Sequence, residues 1–133
     1  MELNIRAIAY GFGTTLLLGL LSGFTIPFTT VTLPVLGFGL IGVIGGLVAG
    51  YMVATGMTDG AVNGLVATML GAIIVAIGLV IFNILFEGVF FGLTTFAAAI
   101  VLIAVAGIPG VVGGALGSML HDRSEARRSR PAA

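Results

Sequence analysis

The chain has no cysteine and no lysine, and from Ala7 to Leu120 it carries only two charged side chains, Asp59 and Glu87. Without cysteine there are no disulfides, thiolate metal sites, cysteine nucleophiles or cysteine lipid anchors. Without lysine there is no phosphate loop of the G-x-x-x-x-G-K-[ST] kind. Paired intramembrane acids, a serine with a histidine in a plausible span, and H-E-x-x-H are missing as well, so enzymatic activity is not expected. One histidine, His121, cannot build a metal cage, and neither a metal nor a cofactor is expected. The shortage of charge excludes most. A water-soluble domain needs a polar surface, and this long interior is mainly Leu, Val, Ile, Ala, Phe and Gly.

What is present points to a bilayer. The 133 residues are 59% hydrophobic and 8% charged, with a mean hydropathy of +1.27, which is the composition of a multi-pass protein of the cell membrane. A hydrocarbon core of about 30 Å takes roughly 20 helical residues. Four runs fit, at about 7–25, 35–55, 61–86 and 93–120. Two prolines and several β-branched residues disfavour helix between Ile26 and Pro34. Gly56 to Gly60 form a short turn, Glu87 and Gly88 interrupt the long apolar block, and Pro109 is a candidate kink in the last span.

Residues 121–133 carry Arg123, Arg127, Arg128 and Arg130 against Asp122 and Glu125. We read them as a basic, disordered cytoplasmic tail, too mixed in sign to bind nucleic acid. An even number of spans keeps this tail and Arg6 on one side of the membrane, so both termini are expected in the cytoplasm. Residues 1–120 then form a single transmembrane domain.

Glycine is the second signal, at 22 residues against the roughly 7% usual in proteins. Gly42, Gly46 and Gly50 repeat every fourth residue, as do Gly60 with Gly64, Gly110 with Gly114, and Gly113 with Gly117. Small residues at this spacing form a groove in which two helix backbones approach closely. The stretch Gly42–Gly50 can also be laid over Gly110–Ser118, as a parallel duplication of a helical hairpin would require.

Four polar residues are candidates for an ion or ligand. Asp59, at the mouth of the third helix, can cap free N–H groups at the positive end of the helix dipole, with Asn63 on the same face. Glu87 stands at the opposite end among Phe86, Val89, Phe90 and Phe91, with Asn83 one turn back to orient it. About 42 Å of helix separates the two acids, so they belong to opposite faces of the membrane. His121 suits the C-terminal end of the last helix.

The run Gly45-Gly46-Leu47-Val48-Ala49-Gly50-Tyr51, followed by Asp59-Gly60-Ala61-Val62-Asn63-Gly64, resembles a family of small archaeal four-helix membrane proteins classed only as a domain of unknown function. That resemblance covers nearly the whole chain and implies no activity, substrate or catalytic residue. Small multidrug transporters share the helix count and length, but their essential first-helix Glu has no counterpart between Ala7 and Thr25.

The expectation is an all-α, polytopic integral membrane bundle of four transmembrane helices packed through glycine. Its role would be structural or accessory, its partners the lipid bilayer, further copies of itself or other membrane proteins. The rival is a small oligomeric channel or transporter, for which Thr14, Thr15, Ser22, Thr68, Asn83, Thr94, Thr95 and Ser118 supply a thin set of polar groups.

Overall fold

A computed structural model of the protein describes residues 3–25, 32–53 and 56–129. It contains four α-helices: α1 (Ile5–Thr25), α2 (Thr32–Tyr51), α3 (Met57–Phe86) and α4 (Val89–Arg128). Helices α3 and α4 are each long and apolar enough to cross a membrane. Only 17% of the apolar 18-residue window in α3, and 12% of that in α4, is buried.

The helix ends depart from the sequence-based spans for local reasons. α2 begins at Thr32 and includes Pro34, since the first turn of a helix has no use for that N–H. It ends at Tyr51 rather than at 55. α3 begins at Met57, four residues early, behind Gly56, whose φ of +116° belongs to the left-handed region that favours glycine. The α3–α4 connection is Glu87 and Gly88 alone, with Gly88 at φ +98°, so residues 89–92 are helical and not a loop. Pro109 lies inside α4. The turn expected at 56–60 is the first turn of α3, and of the connection expected at 26–34 residues 32–34 belong to α2 while 26–31 lie outside the described residues.

The tail needs the largest correction. Rather than becoming disordered at 121, α4 continues to Arg128. Charged and small residues propagate a helix once it has been nucleated upstream. His121 Nε2 lies 3.4 Å from Glu125 Oε1 one turn on, and Arg127 and Arg128 occupy the last turn, where cations suit the dipole. Residues 130–133 lie outside the described residues.

Close contacts between glycine positions set the directions of the helices. α2 and α4 run parallel, with Gly46 against Gly110 and Gly50 against Gly114, while α3 runs antiparallel to α4, with Gly60 and Gly64 against Gly114. α1 runs alongside α3, placing Gly11 by Ala67 and Thr15 by Gly71. Among the described residues α1 and α4 are not in contact, whereas α2 and α3 are.

Among the described residues, burial is concentrated at one end of the bundle, the closed end, and the other, called the open end, has its described side chains largely exposed. The buried residues of α3 are Gly60, Asn63, Gly64, Ala67, Thr68 and Gly71, all in its first half. Beyond them large side chains turn outward, with Leu85 and Phe86 each 73% exposed and Phe90 76%.

Candidate functional site

The closed end is built from glycine. A β-carbon placed on Gly50 would fall on the carbonyl of Gly114, and one on Gly46 would fall on the carbonyl of Gly110. The same two glycines of α4 also face α3: a β-carbon on Gly64 would lie 2.5 Å from the Gly110 oxygen and 2.8 Å from the Gly114 Cα. Three backbones therefore meet at one level, and no side chain fits between them. Gly117 meets the backbone of Leu47 and Tyr51, and Gly42 meets Pro109 and Ala106. At Gly60 a β-carbon would lie 2.6 Å from Ser118. Gly113 meets the Val43 carbonyl, so a β-carbon at each of the nine glycines singled out in the sequence would meet another helix of the same chain.

The buried polar side chains Asn63, Thr68 and Ser118 at this end are hydrogen-bonded, whereas the ring nitrogens of His121 have no hydrogen-bond partner. Asn63 is fully buried, its Nδ2 donating to the Asp59 carbonyl at 2.8 Å and its Oδ1 accepting the Asn4 backbone N–H at 2.8 Å. Asn4 Oδ1 in turn accepts the N–H groups of Arg6 and Ala7 at 3.1 and 3.3 Å, which caps α1. Asn63 therefore pins the start of α1 to α3. Asp59 stands in the first turn of α3 while Gly56 holds the cap position, so its carboxylate complements the dipole from within the helix.

Thr68 and Ser118, also buried, donate to carbonyls of their own helices, Thr68 to Gly64 at 2.9 Å and Ser118 to Ala115 at 2.9 Å. Such back-bonding satisfies a hydroxyl without a partner helix. His121 lies two turns inside the end of α4, not at it. Its ring meets Tyr51 edge-on at 5.3 Å, joining α4 to the end of α2.

The open end does not form the expected Glu87–Asn83 site. The Asn83 side chain crosses to α4, donating to Thr95 Oγ1 at 3.0 Å. Glu87 is exposed and ends α3, where its backbone N–H bonds to the Asn83 carbonyl. Same-face spacing on one helix missed the competing hydroxyl on the neighbouring helix. Among the described residues no three acidic or histidine side chains gather into a metal-binding group.

Between the two ends lies an apolar cavity of about 270 Å³ walled by all four helices, including Gly19, Gly42, Ala72, Ala76, Ala99 and Ile103. The sequence signal for it is the run of alanines on the facing sides of α3 and α4, which reads equally well as close packing.

A family model matches residues 5–120, from the first residue of α1 to the end of the apolar run of α4. No curated protein and no solved structure matches the chain. With the whole of the apolar bundle inside that match, the chain belongs to the family of unknown function DUF5518.

Proposed function

We propose that the protein is a multi-pass component of the cell membrane in which all four helices cross the bilayer and both termini face the cytoplasm. Its role is structural or accessory rather than catalytic or conductive. The observation that carries this reading is the closed end, where three helix backbones meet through glycine and the buried hydroxyls are spent on their own helices. In hydrocarbon, where burying apolar side chains gains nothing, such close backbone contact is what holds helices together. A water-filled path would need polar groups free to replace a hydration shell. Thr15 donates to the Gly11 carbonyl and Thr95 to the Phe91 carbonyl, which commits their hydroxyl protons within their own helices.

Two further features support the membrane reading. Asp59 and Glu87 are about 42 Å apart along α3, which matches the roughly 40–45 Å of a bilayer with its headgroups. Exposed Phe86 and Phe90 flank Glu87, as befits an acid at headgroup level. Because the glycine faces are consumed within the chain, association with other copies or other proteins falls to the outward faces of α3 and α4.

Reconstitution tests the role. Vesicles containing the purified protein should pass potassium and protons no faster than empty vesicles. A flux that rises with protein content and falls in the Thr68→Val variant would replace the accessory reading with a conduit.

A further inference from the structure

We propose that the cavity between the four helices is a binding slot for one hydrocarbon chain of a membrane lipid. The proposal rests on the bilayer reading above and adds a ligand site to it. Its walls are almost wholly apolar, and the only side-chain polar groups on them are the hydroxyls of Thr15, Thr68 and Thr95. Each of these donates to a carbonyl one turn back on its own helix, and Thr95 also accepts from Asn83. No charged side chain and no uncommitted hydroxyl proton faces the cavity among the described residues. Apolar walls of this kind favour an apolar guest over water.

Shape narrows the guest. A cavity of about 150 Å³ accommodates one benzene, and about 270 Å³ is less than twice that. The slot is drawn out from Thr68 to Leu79 along α3, about 16 Å of helix. So little volume over so much length suits a single flexible chain and not a fused ring system. The small wall residues Gly42, Gly71, Ala72, Ala76, Ala98 and Ala99 are what keep the slot from closing.

Depth agrees. Thr68 and Leu79 both lie between Asp59 and Glu87 on α3, well inside the headgroup levels those acids mark. Every wall residue is therefore at hydrocarbon depth, where lipid chains are the abundant apolar molecules.

The test is photolabelling of the full-length protein in phosphatidylcholine vesicles that carry a lipid with a diazirine in one acyl chain. Adducts are then mapped by mass spectrometry. Adducts at Val75 and Ile103 in the wall are expected, in addition to those on outward-facing Ile77 and Phe82, which any lipid reaches. Ala76→Phe and Ala99→Phe, checked for an unchanged melting temperature, should lose the wall adducts and keep the outer ones. Adducts confined to the outer residues of the wild type would overturn the slot while leaving the bilayer reading intact, whereas no adducts at all would remove the bilayer reading.

Discussion

Gly50→Ala isolates the contact on which the closed end depends. The added methyl would meet the Gly114 carbonyl carbon at 2.6 Å and its Cα at 2.7 Å, in addition to the oxygen. Carbon atoms sit comfortably at about 3.5–4.0 Å, so α2 and α4 would have to part by roughly 1 Å. All three obstructing atoms belong to backbone, and no rotamer change relieves them. Parting the helices there also loosens Gly46 from Gly110 one turn away. Overpacking a tight contact costs about 1–3 kcal/mol, and this case belongs at the upper end. Alanine returns about 1 kcal/mol through its better helix propensity, for a net loss near 2 kcal/mol. At roughly 3–5 °C per kcal/mol for a domain of this size, the melting temperature should fall by about 6–10 °C. Circular dichroism at 222 nm in detergent measures it. The internal control is Gly78→Ala, since a β-carbon on Gly78 meets nothing within 4 Å and should leave the melting temperature unchanged or raise it slightly. If Gly50→Ala melts with Gly78→Ala, the helices do not touch through these glycines.

Asn63→Leu should destabilise the protein by about 1 kcal/mol, because the part-buried bond from the Asn4 N–H and the bond to the Asp59 carbonyl are lost; hydrogen exchange should accelerate at Asn4 to Ala7, and unchanged protection there would refute the staple. Asn83→Leu should cost about 0.6 kcal/mol and no more than about 1.7, the range for hydrogen bonds between membrane helices. Glu87→Gln should not change the melting temperature, and a larger effect from Glu87→Gln than from Asn83→Leu would restore a site at the acid. Truncation after Leu120 removes the Tyr51–His121 ring contact and should cost about 0.5–1.5 kcal/mol, whereas truncation after Ser129 should be silent to the same melting assay.

The helices and their directions are legible in the sequence because hydropathy and the four-residue spacing of glycine are strong, local signals. The parallel course of α2 and α4 follows from laying Gly42–Gly50 over Gly110–Ser118. The contact register differs from that alignment by one turn, with Gly46 meeting Gly110 and not Gly114. A pattern that repeats every four residues looks the same after a shift of four, so only the three-dimensional fit among α2, α3 and α4 selects the register. Side-chain partners are less legible. Asn83 bonds to Thr95 across the hairpin, and no spacing rule within one helix reveals that choice. Asn4 was readable in principle, being a strong cap residue directly before the first apolar run, but its bond to Asn63 spans 59 positions. The cavity was not readable, since alanine marks equally a place where helices close up and one where they leave room.

The account turns on Asp59 and Glu87 standing at opposite faces of a membrane, and the absence of cysteine makes a direct measurement possible. Asp59→Cys and Glu87→Cys, each the sole thiol of its variant, are exposed in intact spheroplasts to a membrane-impermeant maleimide and again after permeabilisation. Labelling of position 87 in intact cells, with position 59 reacting only once the membrane is opened, is the predicted result. Equal labelling of both positions before permeabilisation, or of both only after it, would contradict it.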